Sequence, residues 1–199
     1  MLGRKEELNH LNELYNSDCF EYLVMYGRRR VGKTTILQEF AEHSNAIFFS
    51  ALEKNDALNL EDFSKVIQYH FDKNFIASFQ SWEDALNYIG AKVEQRTAVI
   101  IDEFPYIIEE NPSIKSILQH TIDHNWKNKN IFLILCGSSV SIMESDVMGR
   151  KSPLHDRQTS SLEIKPFDYL ESSAFFPNYS NEDKLLAYAW WDSKIFGSI

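Results

Sequence analysis

The stretch EYLVMYGRRRVGKTTILQEF, residues 21–40, decides the fold. Tyr22 to Tyr26 are apolar or aromatic, Gly27 follows, three arginines come next, and Gly32-Lys33-Thr34 opens a pattern of helical period. Gly27-Arg28-Arg29-Arg30-Val31-Gly32-Lys33-Thr34 fits G-x-x-x-x-G-K-[ST] without deviation. The glycines let a backbone curl with its N–H groups turned inward around an anion, at φ values other residues avoid. A helix starting near Lys33 adds the positive end of its dipole. Lys33 then reaches the β- and γ-phosphates of a nucleoside triphosphate, and the Thr34 hydroxyl is a ligand for Mg2+. Thr35, next in the same turn, joins the nucleotide-binding set. An ordinary glycine-containing strand–helix turn is the competing reading. The motif's place, after a strand and before a helix, weighs against it. Only the backbone of Arg28, Arg29, Arg30 and Val31 is needed for such a cradle, so the arginine side chains read as solvated loop charge.

Outward from this stretch, four more short apolar runs read as strands: AIFFSAL (46–52), TAVIID (97–102), IFLILC (131–136) and the run at 160–167. The middle ones are apolar at nearly every position, as in parallel strands covered on both faces. Helical patterns lie between them at 33–43, 60–71, 82–93, 113–124 and, briefly, 140–144, with helices near 4–15 and 168–174 flanking the set. Asn59 before an acidic turn reads as a helix start. The alternation predicts an open α/β sheet with right-handed crossovers.

The chain has 199 residues, enough for one domain or one domain plus the start of another. A net charge of −9 argues against a surface that coats nucleic acid, which needs clustered Lys and Arg. Arg28 to Arg30 remain a local basic site. Cys19 and Cys136 are too few for a disulfide framework and suggest a reducing compartment. No apolar run approaches the ~18 residues of a membrane span, and no leader opens the chain, so a cytoplasmic protein without membrane contact is expected. The six histidines are scattered. His120 and His124 share a helix face, but no acid-rich site adjoins them.

A cradle alone hydrolyses nothing. AVIIDEFPYI ends four apolar residues in Asp102-Glu103, so both acids emerge at the carboxyl edge of a buried strand, where open α/β sheets bind ligands. Asp102 would hold Mg2+ through its water shell, and Glu103 would orient and deprotonate the attacking water. Two solvated acids at a strand end are the alternative. Pro105 reads as a stop at the strand edge. A third buried run ends in Gly137-Ser138-Ser139. A hydroxyl there either contacts the γ-phosphate or attacking water, or caps the next helix; Ser138 is the stronger candidate and Ser139 the reserve. A GTPase would need Asn-Lys-x-Asp and Asp-x-x-Gly, whereas the nearest text is Asn128-Lys129-Asn130-Ile131 and Asp102-Glu103-Phe104-Pro105. No arginine-rich kinase lid is evident. ATP hydrolysis with ATP/ADP and Mg2+ as ligands is the favoured chemistry.

MLGRKEELNHLNELY, YGRRRVGKTT, IIDEFPYI, SILQHTIDHNW, LILCGSSVSIM and KSPLHDRQTSSLEIKPFDYLESSAFFP together resemble the prokaryotic "archaeal ATPase" family, AAA+ proteins related to the STAND signalling ATPases. The resemblance runs in order from about residue 2 to residue 177. It implies a P-loop NTPase three-layer α/β/α sandwich with a five-stranded parallel sheet of order 5-1-4-3-2. It puts Gly3 and Arg4, with Glu7-Leu8, near the adenine, where the residues alone give only an amphipathic helix with a charged face. It also makes Arg157 a candidate to reach a neighbour's γ-phosphate, with Arg150 second, although His155, Asp156 and Gln158 depart from the usual Tyr-Gly-Arg-Arg. A surface arginine paired with an acid is the plainer reading of Arg157. On this division residues 1–177 form the ATPase core and 178–199 the start of a helical lid, where a truncation is expected. Trp190, Trp191 and Phe196 would be helix core residues with little chain left to cover them. A homo-oligomer and an effector domain or protein partner are implied in general terms. A nucleotide-gated interaction module with little turnover is the alternative function, and a scaffold that has lost nucleotide the third.

Overall fold

A computed structural model describes residues 3–72 and 78–196, with side chains up to residue 189. The decisive stretch forms strand β1 (Glu21–Tyr26) and helix α2 (Lys33–Glu42), preceded by α1 (Lys5–Tyr15). There follow β2 (Ala46–Ser50), α3 (Asp56–Phe71), α4 (Trp82–Lys92), β3 (Thr97–Asp102), α5 (Pro105–Glu110) and α6 (Ile114–Thr121), which runs into a π turn (Ile122–Trp126). After β4 (Ile131–Gly137) come α7 (Val140–Ile142) with its π turn (Met143–Val147), a 3-10 turn (His155–Arg157), β5 (Ser160–Glu163), α8 (Tyr169–Ser173) and α9 (Asn181–Phe196).

All five strands are parallel, in the order β2-β3-β4-β1-β5, which is the expected 5-1-4-3-2 read from the other edge. Every residue of β3 and β4 is buried, as their unbroken apolar runs require. Successive side chains point to opposite faces. Leu23, Met25, Ile100 and Ile134 join Leu11, Ile36 and Phe40 in a core beneath α1 and α2. Tyr22, Val24, Ile101 and Leu133 join Phe63, Leu86, Ile107, Leu118 and Trp126 in the other, beneath α3 to α6. The result is the three-layer sandwich.

Several local expectations are corrected. Pro105 opens a helix instead of only ending a strand, because a proline at the first helical position gives up an N–H that has no partner there anyway. The cap of α3 is Asn55, whose side chain accepts the Leu58 N–H; Asn59 is buried within the helix and bonds the N–H and C=O of Leu52. The strand expected at 160–167 stops at Glu163, and the one expected at 46–52 stops at Ser50. The helix expected to run through 113–124 gives way to the π turn at Ile122. The side chains of Trp190, Trp191 and Phe196 lie outside the described residues. Among the described residues no helix is long and apolar enough to cross a membrane.

Candidate functional site

The site grows from the carboxyl ends of β1, β3 and β4. Leaving β1, the chain turns at Gly27 (φ 152°) and closes at Gly32 (φ 93°), the N-cap of α2. Gly27 is required by a close approach: a Cβ there would stand 2.2 Å from the Ile164 carbonyl oxygen. Ile164 in turn donates its N–H to the Tyr26 carbonyl at 2.7 Å, so the chain leaving β5 braces the loop. A Cβ on Gly32 would meet nothing within 4 Å, which marks the open side of the loop. The left-handed turn is shared by Arg30, at φ 67°, a position that carries no glycine. Arg28, Arg29 and Arg30 are exposed, and Arg29 Nη2 donates to the Tyr106 hydroxyl at 3.1 Å. Thr35 is exposed beside them.

Lys33 is only 5% exposed, with Nζ donating to the carbonyls of Gly27 and Arg28, both at 2.8 Å. Its ammonium therefore spans the loop. One turn of helix brings Thr34 to β3: Thr34 Oγ1 donates to Asp102 Oδ2 at 2.7 Å, and Asp102 Oδ1 accepts the Glu103 N–H at 3.0 Å. Asp102 is 1% exposed. A hydroxyl and a carboxylate, both oxygens, beside an open anion cradle are donors a hard cation such as Mg2+ accepts. Among the described residues no group of three or more His, Cys, Asp or Glu could hold a metal, so a cation here would rely on phosphate and water for its remaining ligands. Cys136 lies beside this carboxylate, and burial, with Asp102 second, pushes its thiol well above the ordinary cysteine range.

Glu103 has a left-handed backbone, φ 53°, uncommon for a residue with a side chain. Its Oε2 accepts the Ser138 hydroxyl at 2.8 Å and the Ser138 N–H at 3.2 Å. Gly137 permits this meeting, since a Cβ there would come within 2.7 Å of Pro105 and Met143. Ser138 thus joins the acid pair, and Ser139 does not: it precedes α7 with no side-chain cap bond, its hydroxyl 3.4 Å from that of Ser141. Thr34, Asp102, Glu103 and Ser138 form one connected chain of hydrogen bonds.

Gly3 and Arg4 stand behind the loop. Arg4 Nη2 donates to the Val31 carbonyl at 2.9 Å and the Lys165 carbonyl at 2.8 Å. Arg157 is not brought to the cradle. It precedes the amino end of β5, the opposite edge of a parallel sheet, and holds Asp123 with Nε–Oδ1 at 2.9 Å and Nη2–Oδ2 at 2.6 Å. That bond lowers the Asp123 carboxyl below its usual range and raises Arg157. The pairing, the plainer of the two readings of Arg157, is with an acid 34 residues away in sequence. His120 and His124 are exposed, with rings stacked at 4.2 Å. Sequence reasoning missed Tyr106, Asp123 and the burial of Arg4. No local pattern signals any of them.

Residues 1–195 match the family described as an ATPase domain predominantly from Archaea. An uncharacterized protein of Methanocaldococcus jannaschii is 35% identical over 191 residues, 96% of this chain and 42% of that protein. A Walker-type ATPase of Pyrococcus abyssi superposes with a TM-score of 0.64 at 22% identity, covering 88% of this chain and 57% of that one. The ORC2 protein of Aeropyrum pernix, solved with ADPNP and ADP, superposes with a TM-score of 0.64 at 17% identity, covering 87% and 50%. The chain thus spans roughly half the length of these relatives. At such identities the superpositions establish a shared P-loop ATPase fold, while the sequence match carries the family: the chain belongs to the archaeal ATPases.

Proposed function

We propose that this chain binds ATP with Mg2+ and hydrolyses it. The observation that carries the reading is the 2.7 Å contact between Thr34 Oγ1 and Asp102 Oδ2, which unites two motifs 68 residues apart beside an open loop. The amides of the loop from Gly27 to Thr34 surround the phosphates, and Gly3 and Arg4 support that loop from behind. Lys33 exchanges its two loop carbonyls for phosphate oxygens. Thr34 and Asp102 would hold a magnesium ion, which would supply charge neutralisation at the phosphates. Glu103 aligns a water and takes its proton. Ser138 sets the position of Glu103, and its hydroxyl is near enough to the same water to share in holding it. Arg157, on the far edge from its own cradle, would act only on a second copy, so a homo-oligomer belongs to this reading. Helix α9 belongs to a helical lid whose movement couples nucleotide to an effector domain or partner protein.

A second reading, a nucleotide-gated interaction module with little turnover, is favoured by one group of observations. Lys33, Glu103 and Arg157 each already hold a partner within the chain. Slow turnover by the isolated chain follows. Calorimetry with ATP and MgCl2, paired with single-turnover hydrolysis, tests both. Lys33→Ala should abolish tight binding. Glu103→Gln should bind normally and hydrolyse roughly two orders of magnitude more slowly. Wild-type affinity in Lys33→Ala overturns the cradle; unchanged hydrolysis in Glu103→Gln overturns the base. Full binding with no hydrolysis in the wild type leaves the second reading.

A further inference from the structure

Three charged side chains are buried among the described residues: Lys33, Asp102 and Arg4. The first two face the cradle. Arg4, 3% exposed, does not. Its fork links two segments far apart in sequence: Nη2 bridges the carbonyls of Val31, in the cradle loop, and Lys165, in the chain leaving β5. Nη1 holds Glu7 Oε1 at 2.7 Å, and the guanidinium lies 3.9 Å over the ring of Phe167. Gly3 is shaped by the same ring: at φ 75°, a Cβ would come 2.7 Å from Phe167 Cε1. The Gly3-Arg4 pair is therefore built around Phe167 and the back of the cradle.

Phe167 leads to the carboxyl-terminal helices. Its ring packs on Phe175 at 5.2 Å, and with Phe176, Ala187 and Tyr188 it lines an apolar cavity of about 340 Å³ between α8 and α9. Leu170, Leu185 and Leu186 of the same helices are largely exposed. A helix pair with a hollow beneath it and few buried anchors is at the low end of local stability, and small pushes on its packing change its opening.

A buried guanidinium cannot leave an acceptor behind without a large penalty. Arg4 Nε already lacks a partner, which leaves the bonds to Val31, Lys165 and Glu7 to hold the charge. A turn of the Val31 peptide as phosphate enters the loop would draw its carbonyl, the guanidinium bonded to it and the Phe167 ring beneath that guanidinium together. We propose that Arg4 is a positioning residue that couples filling of the cradle to the packing of α8 on α9 through Phe167. This rests on the ATP-binding reading above.

Hydrogen exchange of the full chain, alone and with a non-hydrolysable ATP analogue plus MgCl2, tests it. In the wild type, amides of α8 and α9 should change exchange rate by about fivefold or more on binding. Phe167→Ala, which touches no cradle atom, should still bind the analogue but lose that response. Linkage also requires its affinity to shift by a similar factor. At saturating analogue Arg4→Lys should lose the same response, whatever its affinity, because a point charge cannot bridge two carbonyls and cover a ring; if it fails to fold, Phe167→Ala decides alone. Binding with no response in the wild type, or a response that survives Phe167→Ala, overturns the coupling and leaves ATP binding intact. A wild type that binds no analogue in calorimetry overturns the ATP reading itself, and the coupling with it.

Discussion

Replacing Thr34 by valine changes one atom of real consequence. The shape of the side chain is kept, but the hydroxyl that donates to Asp102 Oδ2 at 2.7 Å becomes a methyl. Asp102 is 1% exposed and is left with the Glu103 N–H on its other oxygen. A hydrogen bond to a charged group contributes about 1.5–3 kcal/mol. Thr34 is only partly buried, so water recovers part of that and the lower figure, about 1.5 kcal/mol, is expected. For a chain of this length each kcal/mol moves the melting temperature by about 2–4 °C, so the nucleotide-free variant should melt about 3–6 °C lower. Asp102→Asn should leave the empty protein close to the wild type. It removes a desolvated charge while keeping an acceptor, and a change of less than about 1 kcal/mol in either direction is expected. With Mg-ATP the two variants should converge. At a hundred times its dissociation constant the ligand should stabilise the wild type by about 2.7 kcal/mol. Both variants should lose whatever part of that gain depends on MgCl2. Differential scanning calorimetry with ATP, with and without MgCl2, reads all of this. If Thr34→Val melts with the wild type in every buffer, the contact contributes neither to the resting fold nor to a cation site.

Gly27→Ala should cost at least about 2 kcal/mol, because its Cβ would collide with backbone at 2.2 Å; urea unfolding at wild-type midpoint would mean that the chain beyond β5 does not pass there. Ser138→Ala removes one of two donors to Glu103, and losing a bond of about 1.4 kcal/mol in the reacting arrangement lowers kcat about tenfold with KM unchanged. Ser139→Ala should stay within about twofold, and equal losses in both would contradict the special position of Ser138. His70 is held below its ordinary value, chiefly by burial and against a bond to the Ala46 backbone. The unfolded chain then binds the proton more readily. Its contribution to stability is complete above about pH 6.5 and is lost as pH falls below that. Thermal melts at pH 7.5 and 5.5 should show a smaller acid loss in His70→Asn than in the wild type; identical losses would dismiss His70 as the source.

The cradle and the acid pair were legible because each is a contiguous motif on one strand–loop edge, where spacing alone fixes geometry. The strands were legible because a sheet covered on both faces tolerates few polar residues, as the fully buried β3 and β4 show. Their ends were not. Ile164 still bonds Tyr26, so apolar text runs on past Glu163, yet the next free carbonyl, that of Lys165, is taken by Arg4. Asn59 reads as a helix start, yet Asn55 caps the helix and the approach of Leu52 makes Asn59 an interior strut. The π turn at Ile122–Trp126 has no periodic signature at all. It delivers Trp126 to the core and includes Asp123, the partner of Arg157.

What eluded the sequence throughout was the partner of each charge. Arg4 reads as one more polar residue at the start of an amphipathic helix, and its burial follows from carbonyls 27 and 161 residues away. Arg157 reads most plainly as a surface arginine paired with an acid, but nothing in the sequence names that acid as Asp123. Lys33 was expected on phosphate, and it holds its own loop. Pairing satisfies a buried or half-buried charge whether or not a ligand is present, because leaving it bare costs more than most single bonds contribute. On the reading proposed above, the two loop carbonyls on Lys33 and the acid on Arg157 would be exchanged before phosphate is held or a second copy engaged. The net gain from ATP is the difference between two sets of satisfied bonds. On that reading nucleotide affinity depends on the bonds the loop already makes, and engagement of a second copy on Asp123, which need touch no phosphate itself.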